Sequence, residues 1–342
     1  MISKPHHVII GSGSAGFGAA LTLRELDKDC SITMITMDSL PFYHRYDLPR
    51  VFRKHHDWRE LLDMPPSKYE ELGINLRRLS RVVDVNGLRQ FVSLAHQEDV
   101  SYDKLLVCAG GRSYLPENLI ESAKMMHGFG SFEAAMRVYK ALPIGGTVAI
   151  IGGDMVGIDL ALTLLETGYQ VILITNQQTF WPHEIPNNKR KPFLDALREK
   201  GMKIIDSSKP VSVTDNGASS PARTVILENG TEIVSDVVMP FCGLTSSVEF
   251  MLGAGVDIER GLLVDTELHT NNENIWAAGD VCQIWHDEEK IYKFYHGWKN
   301  VRTMGELAAR NMSGAHDIFD VNIEDRLDLD NDGNIRSTFW IN

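Results

Sequence analysis

The chain has 342 residues, of which 43% are hydrophobic and 23% charged, the balance of a water-soluble globular protein long enough for two domains. A formal net charge of −12 argues against nucleic acid or an anionic membrane as a partner, and leaves an acidic surface that suits a basic redox partner. No apolar run reaches the ~18 residues of a membrane span, and no signal peptide precedes the first predicted strand, so the expected compartment is the cytoplasm.

The apolar run Val8-Ile9-Ile10 leads into Gly11-Ser12-Gly13-Ser14-Ala15-Gly16 and then a small-residue segment from Phe17 to Leu26. Strand, glycine turn and helix in that order give G-x-G-x-x-G its meaning as a dinucleotide turn. Gly11 permits the sharp bend, Gly13 lets a pyrophosphate approach the backbone, and Gly16 lets the helix pack closely on the strand. The helix start then offers unpaired N–H groups and partial positive charge to phosphate. A second run, Ile32 to Ile35, ends near Asp38, 22 positions after Gly16. A carboxylate at about that distance (~20 residues) binds ribose hydroxyls.

Residues 39–70 predict an irregular loop and a helix, and 79–107 alternate as an antiparallel meander with an Asn86-Gly87 turn. A buried strand, Lys104 to Val107, precedes Ala109-Gly110-Gly111. The pattern then repeats. Thr147 to Ile151 runs into Gly152-Gly153-Asp154-Met155-Val156-Gly157, a helix from Ile158 to Thr167, a strand from Gln170 to Thr175, and a second meander from Val211 to Met239. A last strand at Asn274 to Ala277 and a helix from Gly297 to Met312 are expected to return to the first unit. The predicted fold is α/β: two Rossmann-like domains of three-layer ββα architecture, the second inserted into the first. The boundaries are 1–114 with 243–315, then 115–242, and a tail from 316 to 342. Cys30, Cys108, Cys242 and Cys282 form neither C-x-x-C nor metal-ligand spacing, and are expected to be buried structural thiols.

Three motifs in this order resemble the two-dinucleotide flavoprotein family, the FAD-dependent pyridine nucleotide-disulfide oxidoreductases. They are Gly11/Gly13/Gly16, Ala109-Gly110-Gly111, and Ala278-Gly279-Asp280. The resemblance implies FAD as cofactor. It would be held by Gly11, Gly13, Ser14, Ala15 and Gly16 at the pyrophosphate, Asp38 at the adenosine ribose, Ala109 and Gly110 along the crossing segment, and Gly279 and Asp280 at the ribityl chain. Trp298 would lie near the flavin pyrimidine or serve as a core aromatic.

Departures from the family pattern narrow the chemistry. No cysteine follows the second strand, which disfavours thiol-mediated disulfide or peroxide reduction. The segment Pro41-Phe42-Tyr43-His44-Arg45 instead resembles the electron-transferring branch, with Arg45 among the cofactor-binding candidates. Arg50 and Asp159 stand where that branch carries a Lys–Glu pair beside the flavin, so an Arg50–Asp159 pair is expected as the catalytic environment.

In the nicotinamide motif, Gly152, Gly153 and Gly157 persist, but Asp154 replaces the middle glycine and faces the expected pyrophosphate. Two like charges ~4 Å apart cost about 4 kcal/mol at an effective dielectric near 20, enough to turn micromolar binding into millimolar. Thr175 ends the next strand where an acid would bind ribose, so use of NAD(P)H is left open.

The tail carries Asp328, Asp330, Asp332 and Gly333, expected to form a turn rather than a calcium loop, then an apolar end placed against a subunit or partner. The function this implies is electron transfer from NAD(P)H or another reduced donor, through FAD, to an iron–sulfur, rubredoxin-like or haem protein. The alternatives are an FAD subunit of a larger oxidoreductase that does not bind NAD(P)H, and a non-catalytic FAD-binding assembly or sensor protein.

Overall fold

The computed structural model describes residues 4–54, 56–206, 208–217, 222–321 and 326–340. Three helices position the sites: α1 (Ser14–Leu26), α2 (Met155–Glu166) and α3 (Trp298–Met312). The chain forms two compact units. The first comprises Met1–His44, Leu62–Arg112 and Thr245–Glu324; the second comprises Arg45–Leu61, Ser113–Leu244 and Asp325–Asn342.

The first unit is built on a five-stranded sheet in the order Ile275–Ala277, Lys104–Val107, His6–Ile10, Ser31–Ile35, Ile74–Arg77. All four pairings are parallel. Parallel strands covered on both faces read as unbroken apolar runs rather than alternating ones. Val8, Ile9, Leu105 and Leu106 are accordingly fully buried. The same core takes in α1, α3 and the antiparallel meander Val82–Asn86, Phe91–Leu94, Val100–Ser101. Ile275–Ala277 pairs with Lys104–Val107, and α3 packs into the same core.

The close contact of α1 and α3 has a specific cause. A Cβ on Gly305 would stand 2.0 Å from the Ala15 carbonyl oxygen. Only glycine allows the two helix backbones to approach so nearly.

The second unit repeats the plan. Its parallel sheet runs Lys203–Ile205, Gln170–Thr175, Thr147–Gly152, Val237–Phe241. A three-stranded meander, Pro210–Asp215, Arg223–Leu227 and Glu232–Ser235, packs with Ala149, Ile151, Ile172 and Ile174 in one core. The sequence pattern carried this meander on to Met239, but Val237–Phe241 joins the parallel sheet, as its burial demands.

Two segments lie in this unit that the sequence reading placed elsewhere. Arg45–Arg53 is a 3-10 helix burying Leu48, Pro49, Val51 and Phe52, with Phe52 packed against Phe129 and Tyr169. The tail forms a hairpin, Leu327–Leu329 with Ile335–Ser337, whose turn is closed by the Asp330 carboxylate. That carboxylate accepts from the Asp332 and Asn334 amides and from Arg336. The expected turn is present, and among the described residues no group of acids or other ligands could hold a metal ion. Among the described residues, no helix is long and apolar enough to cross a membrane.

Candidate functional site

In the first unit, Gly11 turns at φ +106°, and a Cβ there would stand 2.1 Å from the Cys108 carbonyl oxygen. A Cβ on Gly16 would stand 2.0 Å from the Gly11 carbonyl oxygen. Both glycines are therefore imposed by backbone contact. Gly13 differs: at φ −73° it has an ordinary backbone, and a Cβ there meets no heavy atom within 4 Å. Its glycine answers no contact within the protein, as a position reserved for close approach of a ligand requires.

Gly13 caps α1 without a side-chain hydrogen bond, and within the helix the first amide to find a backbone acceptor is that of Phe17. Among the described residues, the amides of Ser14, Ala15 and Gly16 have no protein acceptor. Three unpaired N–H groups at a helix start form an anion cradle.

Around this turn lie the other expected groups. Asp38 follows the second strand, and its carboxylate accepts from the Tyr43 hydroxyl at 3.5 Å and the Leu40 amide at 3.4 Å. Gly110 turns at φ +62° with no heavy atom within 4 Å of a Cβ, while Gly279 (φ +87°) lies against Ala15 and Val301. Asp280 is held by His296, Nδ1 to Oδ1 at 2.7 Å. Sequence reasoning missed His296, because nothing in its spacing marks it. Trp298 opens α3, which is capped by Gly297 at φ +98° with no side-chain bond. The Trp298 Nε1 and the His44 Nδ1 are buried without hydrogen-bond partners among the described residues. Their rings meet edge to face at 6.0 Å, and His44 Nε2 faces Asp63 at 3.4 Å. Buried polar groups left unpaired are unusual, and a ligand placed beside α3 could supply the acceptor for the Trp298 Nε1.

The second glycine turn is built alike but finished differently. Gly152 turns at φ +95°, and its Cβ would stand 2.2 Å from the Phe241 carbonyl oxygen, the counterpart of Gly11 against Cys108. A Cβ on Gly153 would press on Leu173, and one on Gly157 on the Phe241 ring. Asp154 caps α2: its Oδ1 accepts from the Gly157 amide at 2.9 Å and its Oδ2 from the Gly243 amide at 3.0 Å. The Met155 amide donates to the Trp181 carbonyl at 2.9 Å. Asp154 is buried, and burial raises its pKa to about 6 against the pull of the Gly157, Gly243 and Val156 amides. At the strand end, the Thr175 hydroxyl donates to Asp206 at 2.5 Å. An acid is thus present there, carried on a neighbouring segment that the sequence pattern did not single out.

The expected Arg50–Asp159 pair is not formed. In a 3-10 helix residues three apart eclipse, so Arg50 is taken up by Asp47 at 3.5 Å. Arg53 is the cation that reaches α2, binding Glu166 at 2.7 Å. Asp159 is half-buried, and its pKa is raised to about 6, chiefly by burial, with Arg53 opposing and Glu166 and Asp47 reinforcing the shift. Arg45 lies in the second unit, where its Nε donates to the Gly130 carbonyl at 3.2 Å. All four cysteines are buried and unpaired with one another. Burial pushes the Cys108 and Cys282 thiols well up and that of Cys242 to about 11.

A sequence profile described as pyridine nucleotide-disulphide oxidoreductase matches residues 5–305. The chain is 27% identical over 278 residues to a nitric oxide reductase FlRd-NAD(+) reductase of Vibrio vulnificus, covering 81% of this chain and 72% of that one. It is 28% identical over 286 residues to a rubredoxin-NAD(+) reductase of Alcanivorax borkumensis, with the same coverage. The crystal structure of a ferredoxin reductase from Rhodopseudomonas palustris superposes with a TM-score of 0.82 at 21% identity, covering 93% of this chain and 78% of that one. That likeness establishes the shared fold.

Proposed function

The chain belongs to the pyridine nucleotide-disulphide oxidoreductase family and is an FAD-dependent oxidoreductase, and we propose that it passes electrons from a reduced donor through FAD to a small redox protein. The observation that carries this is the first glycine turn: three unpaired amides in front of a glycine whose Cβ would meet nothing. The residues fit the cofactor. Ser14, Ala15 and Gly16 amides would hold its pyrophosphate, Asp38 its adenosine ribose, and Asp280, oriented by His296, its ribityl hydroxyls. The unpaired Trp298 Nε1 and the start of α3 would face its flavin end. FAD supplies the redox chemistry when bound, accepting a pair of electrons and releasing them singly.

The protein's own part is to bind and orient. A thiol step is disfavoured, since every cysteine is buried and desolvation disfavours its thiolate. An acceptor of rubredoxin, iron–sulfur or haem type is supported by the names of the similar reductases and by the net charge of −12, which would draw a basic partner face. Four unbridged cysteines support the cytoplasm as the working compartment.

The test is to purify the protein, measure bound flavin by absorbance, reduce it photochemically without oxygen, and mix it with oxidised rubredoxin, ferredoxin or cytochrome in a stopped-flow instrument. Transfer to at least one acceptor, faster than free reduced flavin achieves, is expected. Absence of bound FAD, or transfer to all acceptors no faster than free flavin, would overturn the reading.

A further inference from the structure

The two glycine turns of this chain provide an internal comparison. Each follows a parallel strand, bends at a first glycine against a neighbouring strand's carbonyl, and opens a helix. At α1, three first-turn amides are unpaired among the described residues. At α2 the first and third of the equivalent amides have partners inside the protein. Met155 donates to the Trp181 carbonyl and Gly157 to Asp154 Oδ1, while the Val156 amide between them acts to lower the Asp154 pKa. Asp154 Oδ2 takes the Gly243 amide as well, on the loop after the last strand of the sheet. A negative group already lies where a helix start would otherwise hold a phosphate, with the hydrogen bonds a phosphate would need.

The surroundings hold this arrangement in place. The Trp181 ring lies against Gly243, where a Cβ would stand 3.1 Å from it. The C-terminal hairpin adds a further tie. Trp340 Nε1 donates to the Met155 carbonyl at 2.9 Å, and Ser337 Oγ lies 2.6 Å from His183 Nε2. Phe339 is buried against Tyr46. The apolar end expected to cover a partner thus covers this chain's own second unit.

We propose that the second dinucleotide fold of this protein is closed to NADH and NADPH, because the Asp154 carboxylate fills the pyrophosphate position and consumes its donors. The fold is kept as a scaffold, and the reductant of the flavin is not a nicotinamide. This rests on the FAD-dependent reading above and sets the protein apart from the similar reductases that are named for NAD(+).

The test measures binding rather than turnover. FAD-loaded full-length protein is dialysed to equilibrium against NADH, NAD+ and NADPH at pH 8, alongside Asp154→Gly and Asp154→Ser. The parent is expected to bind each nucleotide with a Kd above ~1 mM, and Asp154→Gly to bind NADH or NADPH at least ~10-fold more tightly. A serine keeps a cap for the Gly157 amide without the charge, so Asp154→Ser is read in its place should the glycine variant not fold. Parent binding tighter than ~1 mM overturns the proposal. So does a folded variant that binds no better than the parent, because Asp154 is then not the obstruction. Failure of the FAD reading is seen separately, as absent flavin absorbance in all three proteins before any nucleotide is added.

Discussion

Replacing Gly13 by alanine separates a glycine kept for the ligand from glycines kept for the fold. Three magnitudes decide the outcome for the protein without flavin. The backbone at Gly13 (φ −73°, ψ −170°) is open to any residue, and the new methyl meets no atom within 4 Å. Restricting the unfolded chain stabilises by about 0.4–1 kcal/mol, while alanine is a poorer helix cap than glycine by a comparable ~0.5–1 kcal/mol. The two offset each other, so the apoprotein should unfold within about 1 kcal/mol of the parent, a Tm shift of roughly 2–4 °C at most. The same methyl would stand where the pyrophosphate must approach the backbone. Overpacking of about 1–3 kcal/mol predicts FAD binding weakened from several-fold to more than 100-fold. Gly16→Ala is the contrast: its Cβ would stand 2.0 Å from a backbone oxygen, so the apoprotein itself should be destabilised by more than ~3 kcal/mol. The assays are thermal unfolding of the deflavinated proteins and fluorescence titration of FAD. A Gly13→Ala apoprotein weakened by more than ~2 kcal/mol, or one that binds FAD like the parent, would refute the reasoning.

Two further outcomes are expected. Asp159 has a folded pKa raised to about 6 from an unfolded value near 3.8, so its contribution is fully favourable below pH 3.8 and is lost as pH rises through 6. Asp159→Asn should therefore stabilise the protein by up to about 3 kcal/mol at pH 8 and by less than ~1 kcal/mol at pH 4, read from urea midpoints at both; an equal effect at the two pH values would contradict this. The four cysteines should resist iodoacetamide at pH 8 in the native protein and all react in guanidinium, because burial raises every one of their pKa values. Rapid native labelling of any one of them, followed by mass spectrometry, would show a thiol open to chemistry.

The two parallel sheets and the glycine turns were legible because local sequence determines them: apolar runs, then glycines at fixed offsets, then small residues. The return of the last strand and helix was legible too, since Ile275–Ala277 and α3 carry the same signals. What escaped were side-chain pairings between distant segments. His296 reaches Asp280 across a strand pair, Asp206 reaches Thr175 from the adjacent strand end, and Arg50 is captured by Asp47 within its own helix. The arginine position fits the electron-transferring pattern by count, but a 3-10 helix advances each residue by a third of a turn and redirects it. For Asp154 the sequence marks only a carboxylate in place of a glycine, and the structure shows it turned onto the Gly157 amide of its own helix and the Gly243 amide.

The contact of Gly305 with Ala15 has a consequence for synthesis of the protein. The first glycine turn is made early, yet its helix packs on one that begins at Trp298, and its sheet gains its last strand only at Ile275. The second unit is made in between and in turn needs the hairpin that ends near Trp340. A nascent chain on the ribosome therefore carries the half-finished β-layer of its first unit, with apolar faces such as Ile9 and Leu106 uncovered, until Ile275–Ala277 and α3 have been made. Contacts of such long sequence separation form slowly and expose the chain to aggregation. Expression should thus depend strongly on chaperone supply and on an intact hairpin of Leu327–Leu329 and Ile335–Ser337.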